Sequence, residues 1–227
     1  MLSRLVRGYI RPIKDEKGHV KRDSIATLEK VILGELEQWI TIRGHNRHHP
    51  ILLFLHGGPG ASQVGTQQKY LAQLEQSFVV VNWDQRGAGK SYHSLIPSKS
   101  MNVNQLISDT YELVLYLQQR FKQEKVFLTG HSWGAFLGIR FAYQYPELLH
   151  AYVGINQPVK RREEEKRSYQ YALDTAQKKA NKKALNELRA IEFIEEGVYK
   201  NMHHLTKQRS WLTKLGGVTF EKKCFKH

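Results

Sequence analysis

Gly130-His131-Ser132-Trp133-Gly134 sets a hydroxyl between two glycines, directly after the short apolar run Val126-Phe127-Leu128-Thr129. The residues that follow, Ala135-Phe136-Leu137-Gly138-Ile139-Arg140-Phe141-Ala142-Tyr143, have helical spacing. Gly-x-Ser-x-Gly between a strand and a helix is the pattern of a nucleophile elbow, a sharp turn that holds a serine hydroxyl up and exposed. Gly130 and Gly134 are needed because a side chain at either place would collide with neighbouring backbone in so tight a bend. The chemistry implied is attack of Ser132 on a carbonyl, hence acyl transfer. Such a reaction also needs donors aimed at the developing oxyanion. His56-Gly57-Gly58-Pro59-Gly60, after the unbroken apolar run Ile51-Leu52-Leu53-Phe54-Leu55, offers glycines whose N–H groups can approach it. One donor is then Trp133, the residue after the serine, and the other comes from the early strand-to-helix loop, where Gly58 is the choice.

A third glycine-rich loop, Asp84-Gln85-Arg86-Gly87-Ala88-Gly89-Lys90-Ser91, follows an apolar strand. It ends like a phosphate-binding motif, but Walker spacing requires glycine where Asp84 stands, and a dinucleotide fingerprint requires one where Tyr92 stands. The loop reads as a tight structural turn in which Asp84 and Arg86 pair, and no cofactor is implied. The adjacent pairs His48-His49 and His203-His204 lack the i,i+4 spacing of a helical metal site, so no metal is implied either.

Positioning these loops requires alternating strands and helices. The hydropathy pattern predicts a hairpin around Gly34-Glu35, strands at 51–55, 78–83, 126–129 and 151–155, and helices at 67–76 and 104–122. In the last helix Leu106, Leu113, Val114 and Leu117 should face the core. This β-α-β-α-β succession predicts an α/β fold with a mostly parallel, doubly wound sheet. Residues 1–24 are polar, with structure expected to begin near Ile25; 25–159 make the core, and 160–227 read as amphipathic helices without strand-like runs, a partial helical cap.

Composition narrows the class. A chain of 227 residues that is 41% hydrophobic and 11% aromatic buries one good core. The single Cys224 excludes an internal disulfide, which with the lack of a signal peptide or membrane span suggests a cytoplasmic protein. Net charge is +14, and 160–227 carries seventeen Lys and Arg against nine Asp and Glu. Signs are mixed in Lys160-Arg161-Arg162-Glu163-Glu164-Glu165-Lys166-Arg167, with Arg161/Glu165 and Glu163/Arg167 at i,i+4 spacing. That is a solvated helical face rather than a nucleic-acid surface.

His-Gly-Gly-Pro-Gly, Asp-Gln-Arg-Gly-x-Gly-x-Ser and Gly-x-Ser-Trp-Gly, in this order, resemble the α/β-hydrolase family and within it the prolyl aminopeptidase (proline iminopeptidase) branch. The resemblance covers about 25–217, and 208–217 is similar to part of that branch's helical cap. It implies removal of N-terminal residues from short peptides by a serine hydrolase without a cofactor. It also implies acidic cap residues for the substrate's amino group, with Glu192, Glu195 and Glu196 as possible equivalents. His131 and His56 take structural roles, His56 bracing its loop.

The departure is in the triad. The family's Asp and His follow the serine on later core strands, yet only 95 residues follow Ser132. Asp174 lies in a helical stretch, His150 at the start of a strand, His203 and His204 inside the cap, and His227 at the end. No triad Asp or His is assigned. The chain is expected to be C-terminally truncated or frameshifted, lacking the last core strands. A short protein with an atypical base, an esterase-like hydrolase and a non-catalytic binding module are the alternatives. A segment upstream could carry a membrane anchor.

Overall fold

The computed structural model describes residues 10–218. They form two compact units, divided between Gln157 and Pro158. The first holds a six-stranded sheet in the order β1-β2-β4-β3-β5-β6. β1 (Ile25–Leu33) and β2 (Leu36–Gly44) are antiparallel, and β2 also pairs antiparallel with β4 (Val79–Asp84). β3 (Ile51–Leu55) lies parallel between β4 and β5 (Val126–His131), and β6 (Leu149–Ile155) continues the parallel set.

Sequence explains most of this. Gly34 and Glu35 both have positive φ, 52° and 63°, so a two-residue turn matched to strand twist closes the first hairpin. Every residue of β3 and β4 is buried, as befits central strands covered on both faces. α2 (Val103–Phe121) starts at Asn102, whose side chain accepts from the Gln105 N–H at 2.9 Å, and buries Leu106, Leu113, Val114 and Leu117. α3 (Trp133–Gln144) runs from β5 and packs close to the sheet. A β-carbon on Gly138 would come within 2.5 Å of the Tyr152 ring.

Four expectations need correction. In place of one helix over 67–76 there is a single turn, α1 (Gln67–Tyr70), then a 3₁₀ turn at Leu74–Gln76. Order begins before residue 25: Lys14 bridges Val20, and Ile13 is buried. Asp84 does not pair with Arg86. The Asp84 carboxylate accepts from the Lys90 N–H at 2.8 Å and from the Ser62 hydroxyl. Arg86 instead reaches Asp109 on α2, through Nε at 2.8 Å and Nη2 at 2.9 Å. Asp109 also accepts from Gln38 and Gln105, each at 2.9 Å, and Arg86 Nη2 donates to the Gly34 carbonyl at 3.0 Å. A buried, fully paired cluster thus ties the 84–91 loop to α2 and the hairpin.

The fourth correction lies in the second unit, which contains α4 (Arg161–Lys178), α5 (Lys182–Arg189) and α6 (Met202–Lys214). Between α5 and α6 is a small hairpin, β7 (Phe193–Glu195) and β8 (Val198–Tyr199). Gly197, at φ 78°, permits its turn, and Phe193 meets Tyr169 edge to face at 5.1 Å and Tyr199 at a tilt at 4.9 Å. Ala172, Ala176, Ala184 and Leu188 let the helices pack closely around Trp211 and Leu212. Among the described residues no helix is long and apolar enough to cross a membrane. Cys224 and His227 lie outside the described residues.

Candidate active site

The first unit brings the three glycine motifs together at the carboxyl ends of its parallel strands. Ser132 is the junction residue between β5 and α3, with φ 53° and ψ −111°, a backbone that L-residues adopt only under strain. Its N–H donates to the Ile155 carbonyl at 2.9 Å, and its own carbonyl receives the Phe136 N–H at 3.0 Å. The residue is partly exposed, neither mid-helix nor sealed in the core. The two flanking glycines are enforced sterically. A β-carbon on Gly130 would lie 2.2 Å from the Gly134 carbonyl oxygen, and one on Gly134 would lie 2.0 Å from that of Leu55.

The 56–60 loop stands directly against this turn. A β-carbon on Gly57 would sit 2.9 Å from His131 Nδ1 and 3.5 Å from Ser132 Cβ. Gly58 and Gly60 hold positive φ values of 120° and 87°, and the Gly58–Pro59 peptide is cis. Trp133 is the first residue of α3, so its N–H has no acceptor within the helix. His56 is buried: its Nε2 accepts the Gln85 N–H at 3.1 Å, while Nδ1 lies 2.8 Å from the Gly57 carbonyl. Burial holds its imidazole below the usual histidine range, opposed by the Gly57 hydrogen bond and by Asp84. A neutral ring locked into two backbone contacts braces the loop. His131 Nε2 lies 3.3 Å from Asn156 Nδ2.

Gln85 is the residue that sequence reasoning missed. Besides its backbone bond to His56, its side chain donates to the His56 carbonyl at 3.1 Å and accepts from Trp133 Nε1 at 3.2 Å. One buried amide therefore joins all three motifs. Its position in Asp-Gln-Arg-Gly was visible, but nothing in the spacing told which neighbours it would reach.

The remaining candidates stand elsewhere. His150 is the second residue of β6, at the opposite end of the sheet from Ser132, stacked on Phe127 with ring centroids 5.0 Å apart. In the second unit Asp174 accepts from Gln170 at 2.7 Å, and His204 Nδ1 accepts the Glu192 N–H at 3.2 Å. Glu192, Glu195 and Glu196 each hold a cation already, Lys200 at 2.5 Å, Arg162 at 2.7 Å and Lys166 at 2.8 Å. The carboxylate that is buried there, among the described residues, is Glu165, bound by Arg161 at 2.7 Å and Arg209 at 2.5 Å. Burial, and next the charge on Glu165, push the neighbouring Tyr199 phenol up to about 12. Among the described residues, no three His, Cys, Asp or Glu side chains gather as metal ligands.

A mixed, mostly parallel sheet with a strained serine at the strand-to-helix turn, facing a glycine loop, is a hydrolase architecture. A sequence model described as alpha/beta hydrolase fold matches residues 50–193, and the chain belongs to that family. A probable aminopeptidase of Bacillus subtilis (strain 168), YbaC, is 40% identical over 159 residues, covering 70% of this chain and 50% of its own length. Epoxide hydrolase B of Mycobacterium tuberculosis is 30% identical over 109 residues, 48% of this chain and 29% of its own. Among solved structures, a proline iminopeptidase-related protein of Thermus thermophilus matches with a TM-score of 0.56 at 24% identity, over 84% of this chain and 66% of that one. The last likeness is one of fold. The chain thus spans half the length of its Bacillus subtilis relative and less of the Mycobacterium tuberculosis one.

Proposed function

We propose that this chain carries the nucleophile and oxyanion half of a serine hydrolase that cleaves N-terminal residues from peptides. The observation that carries the reading is Ser132, strained at φ 53° on the β5–α3 turn with Gly57 against it. In this reading the Ser132 hydroxyl attacks the substrate carbonyl. The N–H groups of Trp133 and Gly58 stabilise the tetrahedral oxyanion, and Gln85 and His56 hold those donors in place. A serine rather than an aspartate at the elbow favours amide or ester substrates over epoxides. The Bacillus relative's name favours an aminopeptidase among the amide hydrolases. Residues 160–227 are assigned, by the same reading, to a helical cap.

No triad Asp or His is assigned, so turnover by this chain should fall several orders of magnitude below that of a complete triad enzyme. Fluorophosphonate labelling tests the nucleophile: an adduct on Ser132 in the folded protein, absent in Ser132→Ala, supports it. Labelling should be slow without a base, and a folded chain whose Ser132 stays unlabelled even under prolonged exposure to excess probe points to a non-catalytic module. Prolyl and other aminoacyl anilides against short acyl esters then separate aminopeptidase from esterase.

A further inference from the structure

We propose that the first unit holds a second binding site, remote from Ser132, for a small organic phosphate of about mononucleotide size. A cavity of about 660 Å³ opens at the amino-terminal edge of the parallel strands. Volumes of this order hold ordinary small-molecule ligands. The whole of β5, six residues and so about 20 Å, separates that edge from the elbow.

The lining mixes cationic and apolar residues. Arg47 and His48 come from the loop after β2, Lys122 from the end of α2, and His150 from β6. Arg120 also lines it but is committed to Glu29. Ile25, Pro50 and Phe121 are its apolar lining residues, and no carboxylate lines the cavity among the described residues. The carboxyl end of α2 opposes an anion here. Lys122 sits on that end as its cap, leaving Arg47, whose Nη2 also donates to the Ser24 carbonyl at 3.3 Å, and the two imidazoles as further donors. Two charged donors, Arg47 and Lys122, with no carboxylate among the lining residues suit a phosphate, whose oxygens take charge-assisted hydrogen bonds. The space left over and the apolar lining residues call for an organic body attached to it.

The walls are fixed rather than loose. The Arg47 N–H donates to the Asp23 carbonyl at 2.8 Å, and the His48 N–H to Asn46 Oδ1 at 2.9 Å. Gln123 staples the loop, donating to the His49 carbonyl at 2.9 Å and accepting the Ile51 N–H at 3.2 Å. His150 is steadied by its stack on Phe127.

Calorimetric titration of the 227-residue chain with adenosine monophosphate, inorganic phosphate, adenosine and a short single-stranded RNA tests the assignment. Saturable binding of the nucleotide is expected, with phosphate and adenosine each weaker by tenfold or more. Arg47→Glu with Lys122→Glu should weaken nucleotide binding at least tenfold, while Lys99→Glu, on a different loop, leaves it unchanged. Lys122 has φ 55°, so Lys122→Gly removes that cation without opposing the backbone and should also weaken binding. No saturable nucleotide binding at millimolar concentration, or binding indifferent to these changes, overturns the proposal. So does phosphate binding as tightly as the nucleotide. Tighter, steeply salt-dependent RNA binding transfers the surface to a nucleic acid and overturns it equally.

Discussion

Removing one carboxylate from α2 should take away much of this chain's margin of stability. Asp109 is fully buried and its two oxygens accept four bonds, two from Arg86 and one each from Gln38 and Gln105. Asp109→Ala leaves the Arg86 guanidinium, itself only 4% exposed, with carbonyl and hydroxyl contacts but no counter-charge. Breaking one partner of such a buried pair costs about 3–5 kcal/mol, a large part of the roughly 5–15 kcal/mol that a domain has. With a urea slope of about 2 kcal/mol/M the midpoint should drop by about 2 M. Glu37→Ala is the control, since its pair with Lys30 is exposed and removing it should cost under about 1 kcal/mol. Arg86→Met with Asp109→Leu should lose less than the two single changes added together, because no charge is left unpaired. The cluster also holds the loop that carries Gln85, so Asp109→Ala should slow labelling of Ser132 before unfolding sets in. Equal urea midpoints for Asp109→Ala and Glu37→Ala would show that the cluster contributes nothing beyond a surface pair.

Three further changes probe the site itself. Ser132→Gly should abolish the fluorophosphonate adduct yet raise stability by about 1 kcal/mol or more, because glycine tolerates φ 53°; a fall in melting temperature refutes the strain. Gly134→Ala sets a β-carbon against backbone that cannot yield, so α3 must shift and stability should fall by about 3 kcal/mol, read by urea unfolding. His56 has its folded pKa depressed below 6.5, so the unfolded chain binds the extra proton first as pH falls. Its contribution is complete above 6.5 and is lost on acidification below it; His45, shifted the same way by burial, adds to the trend. In His56→Gln the slope of stability against pH between about 5 and 7 should flatten.

The elements that sequence made legible are those with local causes. A two-residue Gly-Glu turn between apolar runs fixes a hairpin, and continuous apolar runs fix β3 and β4. The elbow was legible because its glycines have no substitute at such contact distances. What stayed hidden depends on contacts across the chain. Arg86 looked nearest to Asp84 by sequence, but its partner is Asp109, on the core face of α2 among Leu106 and Leu113. An acidic residue on that stripe was the available signal. The hairpin β7–β8 was missed because so short a pair is held by aromatic packing with α4, not by its own alternation. Gln85 was quoted as part of a motif without a role for the same reason.

The two flanks of the sheet are unlike. β1 presents an antiparallel border bearing charge, with Glu29 held by Arg120 and Lys30 by Glu37. β6 is the other border among the described residues; it has Val153 58% and Ile155 41% exposed, and it contains no proline or charged Lys, Arg, Asp or Glu. Among the described residues, nothing in β6 itself discourages a neighbouring chain from aligning its own backbone there. Concentrated solutions should therefore self-associate through this border, one end of which, Ile155, is bonded to the Ser132 turn.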